Sequence, residues 1–226
     1  PPTATPTRTH LVYYSFLPTL LQIYPPPTPE PQVITLQQGV DGYDGTLDTY
    51  LNAWDVEANY AEADRLALRQ PDVMVPLIRF DLSTLPANAH VVDARLGVWV
   101  LTQTNSNAAV AGLYRLQKAW STIEANWLRA SAARPWDLPG ANGVPGDREA
   151  NPRDITTMTE SLRWYEWNVT WLVREWLADP DSNYGVAIKA LDVPKVFYAI
   201  ASAEYHNAAA RPRLSITFWT PTPPAP

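Results

Sequence analysis

The densest run of hard oxygen ligands in this chain is "DGYDGTLD", residues 41–48. Asp41, Asp44 and Asp48, with nearby backbone carbonyls, offer oxygens of the kind that hold structural Ca²⁺. Their spacing departs from an EF-hand loop, which places ligands at alternate positions and ends on Glu. The alternative is two Asp-Gly turns, with Asp as the turn former and Gly at positive φ. The chain also has ten Trp and eleven Tyr. Aromatic faces stack on the apolar faces of pyranose rings, while amides and carboxylates take the hydroxyls. Trp54 in a loop, Trp171 on the polar side of a helix and Trp219 at the end of the last strand are the Trp residues that a core explains least. They are candidate carbohydrate contacts, and packing is the competing role, because Trp is buried on average.

Catalytic constellations are missing from the sequence. His10, His90 and His206 are scattered, and no Cys is present. There is no H-E-x-x-H, no G-x-S-x-G and no phosphate-cradling Gly loop. The 23 acids are compatible with many carboxylate pairs, but no motif singles one out. We therefore expect a non-enzymatic protein with no cofactor beyond the calcium that the Asp run would take. Asp147, Arg148 and Glu149 read as an ion-pairing clasp of a loop. "NVT" at 168–170 is an N-glycosylation sequon at a predicted helix start, where Asn168 or Thr170 would cap.

Net charge is −6 and no basic patch stands out, so nucleic acid and anionic membranes are poor partners. No stretch reaches the roughly 20 apolar residues of a membrane-spanning helix. The absence of Cys excludes disulfides and thiolate chemistry without fixing the compartment. The first apolar run is not preceded by Met or by a charged region, and we expect an extracellular, cell-surface chain after signal-peptide removal.

These residues need a scaffold, and its elements are legible. "VVDARLGVWVLTQT" (91–104) alternates, with Leu96, Val98 and Val100 on one face and Trp99 and Leu101 on the other. "VITL", "RLALR", "VMVPLIRFDLSTLP", "VAGLYRLQKAW", "SLRWYEWNV", "YGVAIKAL", "VFYAIASAE" and "PRLSITFWT" are further strand-like runs. "STIEANWLRA" begins with Ser121 and has Glu124 three residues on, a capping-box pattern. "TWLVREWLADP" carries Leu172, Val173, Trp176 and Leu177 on one stripe and stops at Asp179-Pro180. The fold class is all-β: an antiparallel two-sheet sandwich, jelly-roll-like, with two short helices in connections and an extended N-terminal arm. The domain runs from 32 to 220, after an arm of residues 1–31 and before a Pro-rich tail of 221–226. "NYAEADRLALR" and "NYGVAIKAL" share a loop-to-strand lead-in, with Asn-Tyr before the strand.

The ordered set "DTYLNAWDVEANY", "LIRFDLSTLPANAHVVDARLGVWV", "YRLQKAWSTIEANW", "PWDLPGANG" with "DREA", "WNVTWLVREWLADPDSNYGVAIKA" and "ASAEYHNAAARPRLSITF" covers about residues 33–219. It resembles the DNRLRE-domain family, which overlaps the disaggregatase-related carbohydrate-binding modules of prokaryotic surface proteins. The resemblance implies a single β-sandwich, an extracytoplasmic location and no catalysis. It also places Trp120, Trp127 and Trp176 in the core; Trp136 reads as the pin of the long loop around it.

Residues 1–32 lie outside that resemblance. In "HLVYYSFLPTLLQIYPPP" an extended 11–24 carries Leu11, Tyr13, Ser15, Leu17, Leu21 and Ile23 on one largely apolar face. Val12, Tyr14, Phe16, Leu20 and Tyr24 lie on the other. Both faces are largely apolar, which suits burial on both sides. Pro18 removes one ladder donor, a loss that an edge strand tolerates. "PPPTPEP" behind the segment is a stiff spacer. Three fates fit: docking on its own domain, anchoring to a membrane or wall, or strand addition to a neighbouring copy. The leading expectation is a homopolymer, a cell-surface filament built by the third route. The alternative function is a carbohydrate-binding module for a cell-wall or extracellular polysaccharide.

Overall fold

The computed structural model describes residues 30–69, 73–191 and 195–221. The arm residues Leu11, Val12, Tyr13, Tyr14, Phe16, Leu17, Leu20, Leu21, Ile23 and Tyr24 lie outside the described residues, as does the tail beyond 221. The first strands are β1 (Gln32–Gln37), β2 (Thr46–Asn52), β3 (Arg65–Arg69) and β4 (Met74–Phe80), followed by the long β5 (His90–Gln103). β6 (Ala109–Arg115), β7 (Arg129–Ser131), β8 (Arg134–Pro135), β9 (Asp154–Met158) and β10 (Arg163–Asn168) lead into helix α1 (Thr170–Ala178). β11 (Val186–Ala190), β12 (Phe197–Ala201) and β13 (Arg213–Trp219) complete the chain of strands.

The fold is all-β and antiparallel, as the alternation predicts. Eleven strands share one hydrogen-bonded network, in the order β1-β13-β5-β12-β3-β4-β11-β6-β9, with β10 on β5 and β2 on β4. β5 makes this branching possible. One of its edges pairs β13 along His90–Gly97 and β12 along Val100–Gln103, and the other pairs β10 along Arg95–Val100. β12 and β3 then hydrogen-bond the half built on β5 to the half built on β4. The network curls, so that Leu96, Val98 and Val100 of β5 share one buried cluster with Ile78 of β4, Leu113 of β6 and Ile188 of β11. Trp167 of β10 crosses that core, and its indole N–H donates to the carbonyl of Ala111 on β6 at 2.9 Å. A buried Trp or Tyr needs such a partner for its polar tip, and the Tyr198 hydroxyl finds one in the carbonyl of Met158.

A second core lies on the other side of the β4 half. Leu51, Val75, Leu77 and Ala187 pack there against Leu116, Trp120, Ala125, Ala130, Trp136 and Ala141. Residues 116–148 therefore form a layer over this face. Trp120 and Trp136 enter the layer with their indole N–H groups donated to Tyr184 and Asn126 carbonyls, and Trp127 packs at its margin. Trp176 is buried in the main core.

The predicted helix at 121–130 is not formed. Ser121 accepts from the Glu124 and Ala125 amides for one turn only. Asn126 then accepts from the Leu128 and Arg129 amides and redirects the chain into β7. Glu124 accepts from the Ala132 amide rather than closing a capping box on Ser121. An Asn side chain that competes for backbone donors thus overrides the helix signal. The second helix stands as α1, with Leu172, Val173 and Trp176 buried. Its N-cap is Val169 without a side-chain cap; Asn168 instead accepts from the Thr170 amide, and the Thr170 hydroxyl accepts from the Ala94 amide. The repeated Asn-Tyr lead-in is one device used twice. Asn59 and Asn183 each accept from the amide two residues on, and each donates its side-chain amide to a distant carbonyl.

Asp147 holds the covering layer together. Its carboxylate is fully buried and accepts from the amides of Asp137, Leu138 and Gly143 at 2.8–3.1 Å, with the Lys118 ammonium at 2.6 Å. Burial pushes this carboxyl up, but the three amides and Lys118 outweigh it and hold it below the usual range. Glu149 pairs with Arg153, and the Arg148 guanidinium lies over the Tyr114 ring. Removing a buried carboxylate that satisfies several donors costs about 2–4 kcal/mol. Asp147→Ala is expected to lower the unfolding free energy by about that amount in urea denaturation, and Asp147→Asn by less.

Candidate functional site: a cleft along helix α1

Four concavities adjoin around α1. The first, of about 470 Å³, is bounded by Asp44, Leu47, Arg79 and Asp81. The second, of about 310 Å³, shares Asp81, Pro180 and Asn183 with it and is walled by Leu82, Leu85, Trp176 and Leu177. The third, of about 560 Å³, shares Ala87 and Leu177 with the second and is lined by His90, Val92, Arg174 and Trp219. The fourth, of about 430 Å³, shares Val92 and Arg174 with the third and carries Asp93, Arg153, Asp154, Asn168 and Trp171. The shared residues make these neighbouring concavities, the last three of them bordered by α1.

Helix α1 positions one aromatic wall. Its buried stripe faces the core, so Trp171 points outward and is 68% exposed. Arg174, three residues on, lies over the Trp171 ring at 4.9 Å and donates from Nε and Nη2 to the carbonyl of Val91. Pairing of β13 with β5 positions the other wall. Trp219 is opposite His90 in the register, and the two rings stack at 4.1 Å with 4° between their planes. Trp54, 65% exposed, lies apart from the cleft, with the Arg69 guanidinium 4.7 Å from its ring centre. The structure thus brings together two of the three Trp residues proposed for sugar contact.

Arg174 and His90 were not singled out by sequence reasoning. The Arg174 signal was available, because residues three apart on a helix are neighbours. His90 had none, since only the β5–β13 register brings it under Trp219. A further aromatic pair stands on the outer face of β5 and β10. Trp99 and Trp164 meet edge to face at 5.6 Å, and Arg213 covers Trp164 at 3.9 Å while pairing with Glu166. Gly97 leaves room for this arrangement, since a Cβ there would come within 3.3 Å of both Arg213 and Trp164.

The three aspartates do not share a site. Asp41 takes positive φ in a turn, Asp44 borders the cleft, and Asp48 points into the core at 2% exposure. Alternation decides this: Thr46, Asp48 and Tyr50 fall on the inward face of β2, and Leu47, Thr49 and Leu51 on the other. No group of three metal-ligating side chains occurs among the described residues. Asp48 serves instead as a tether, accepting from the Ala203 amide at 2.7 Å and holding the loop after β12 against β2.

The disaggregatase related repeat domain family matches residues 56–216. The chain belongs to this family. No curated protein matches the chain. The matched segment contains Trp171, Arg174 and His90 and the whole 116–148 layer, and begins after β1, β2 and Trp54.

Burial pushes the Asp48 carboxyl well above its usual range, and the adjacent Glu204 carboxylate acts in the same direction. An acid whose folded pKa is raised stabilises the fold below the unfolded value, about 3.9, and loses that contribution as pH rises through the folded value. Asp48 therefore contributes a fall in the unfolding midpoint as pH is raised from about 4 towards neutrality, opposite in sign to the contribution of Asp147. Asp48→Asn, which keeps an acceptor for Ala203, is expected to remove that contribution and to raise the midpoint at pH 7. Thermal unfolding followed by circular dichroism across this range checks both.

Proposed function

We propose that this chain is a non-enzymatic, extracellular β-domain that binds a polysaccharide along the α1 cleft. The observation that carries this reading is the placing of Trp171 and of Trp219 with His90 in two adjoining concavities that share Arg174 and Val92. A cleft of adjoining concavities suits a chain of rings better than a single compact ligand. The exposed Trp171 face offers a stacking surface, and the mixed Asp93, Asp154, Asn168 and Arg174 border offers donors and acceptors for hydroxyls. The same reading takes the domain as a DNRLRE-type branch of its family, and the curled network as a jelly-roll-like sandwich whose two sheets are built on β5 and β4.

A second reading concerns assembly. The 11–24 segment would add as a strand to a neighbouring copy and produce a surface filament. The observation favouring it is that β1, the strand nearest the arm, ends the sheet order and among the described residues pairs along one edge only.

Polysaccharide pull-down and affinity electrophoresis on neutral, acidic and amino-sugar polymers test the first reading. Trp171→Ala is expected to weaken binding about tenfold, or about 1.4 kcal/mol. Trp219→Ala is expected to act in the same direction, and Trp54→Ala to leave binding unchanged. Retention of no polymer by the unaltered chain would remove this reading.

A further inference from the structure

We infer that the free edge of β1 is the acceptor for residues 11–24 of a second copy of this chain. The inference rests on the assembly reading and names the surface that reading requires. Among the described residues β1 pairs only with β13, so alternate residues along it direct N–H and C=O groups away from the sheet. Such an edge is a template for another strand.

The inner face beside this edge is apolar at Ile34 and Leu36, and the outer face carries exposed Val33 ahead of Thr35 and Gln37. Val33, on the outer face, is 71% exposed, and Ile34, on the inner face, packs on the core while staying only partly buried. Their inner neighbour Leu36 is buried. Ile34 thus sits at the point where the core lacks a covering strand. A groove of about 240 Å³ runs along this edge, bounded by Val33–Leu36, the turn at Asp41–Tyr43, and Thr84. The incoming strand must therefore be apolar towards Ile34, and it gains from an apolar residue beside Val33 on the other face. Residues 11–24 supply both: Leu11, Tyr13, Leu17, Leu21 and Ile23, with Ser15 and Thr19, alternate with Val12, Tyr14, Phe16, Leu20 and Tyr24, with Pro18 and Gln22. Among the described residues β2, β9 and β10 also pair along one edge only. β2 has no exposed residue, and β9 and β10 lie against each other, the Thr156 hydroxyl donating to the Glu166 carbonyl and the Asn168 amide to the Asp154 carboxylate, so none of them offers an open edge as β1 does.

Chain order favours a second copy over the arm's own domain. Residues 25–31, between the arm and β1, contain five prolines. Each fixes φ and lacks an N–H, so the spacer cannot close a hydrogen-bonded tight hairpin onto the β1 that follows it. In polyproline geometry seven residues would span about 22 Å, far more than a tight turn bridges. Addition of one copy's arm to the next copy's β1 is head-to-tail and does not close, so it yields a fibre.

The absence of Cys in the native sequence allows a clean test with full-length chains. Ser15→Cys copies are mixed with Val33→Cys copies and treated with a short bis-maleimide; Ile155→Cys on the β9 edge is the control. Cross-linked dimers are expected from the Ser15→Cys and Val33→Cys mixture and not from the Ile155→Cys mixture. Val33→Lys, which sets a charge on the edge without altering the core, is expected to raise the concentration needed for assembly in light scattering at least tenfold. Cross-linking confined within a dilute double variant, Ser15→Cys with Val33→Cys, would show docking on the same domain and overturn the inference. Assembly that proceeds unchanged in Val33→Lys, or that cross-links at Ile155→Cys, would overturn the choice of edge while leaving the assembly reading intact. A full-length chain that stays monomeric at every concentration would overturn both.

Discussion

Backbone N–H and C=O groups withdrawn from water must find partners, and β5 is where this fold meets that demand. A strand of 14 residues is long enough to pair β13 and β12 end to end on one edge and β10 on the other. Each of its inward residues from Ala94 to Val100 is almost fully buried. The sheet can therefore curl around one apolar face without breaking its hydrogen bonding. The α1 cleft depends on the same strand. Its start supplies His90, Val91 and Val92, and its pairing with β13 brings Trp219 against His90.

The covering layer solves a different problem. The outer face of β4 and its neighbours exposes Val75, Leu77 and Ala187, and a face of that kind must be covered or it will associate. Residues 116–148 cover it with little regular structure, which leaves many loop amides to satisfy. Asp147 takes three of them on one buried carboxylate, with Lys118 as counter-charge. The result is one closed outer face, while the outer face of β5, β10 and β13 carries the Trp99–Trp164 pair under Arg213.

Around α1 the requirements of the helix and of the cleft coincide. The helix buries Leu172, Val173 and Trp176, which turns Trp171 and Arg174 outward to the same side. Arg174 then ties the helix to the Val91 carbonyl and stacks on Trp171. A residue that fixes the helix against β5 thus also orients an exposed ring in the groove. The β1 edge and the concavities around α1 share no lining residue, although Asp41–Tyr43 and Thr84 beside β1 adjoin Asp44, Ser83 and Leu85 in the chain.

Local periodicity was enough to determine the all-β class, the inward face of β5, the stripe of α1 and the outward direction of Trp171. Each follows from a repeat of two or 3.6 residues, which is read within a few neighbours. Tertiary structure decided what depends on distant pairing. Trp219 reaches the cleft and stacks on His90 because of the β13 register, whereas Trp54 ends beside Arg69. Asp48 turned inward to hold the Ala203 amide rather than joining Asp41 and Asp44, because the inward face of β2 is set by which side of the curled sheet becomes the core. The 121–130 segment lost its helix because Asn126 captured amides that the helix would have used. In each case the sequence contained the residue, and a partner 15 to 155 positions away, or a side chain competing for the backbone, chose its role.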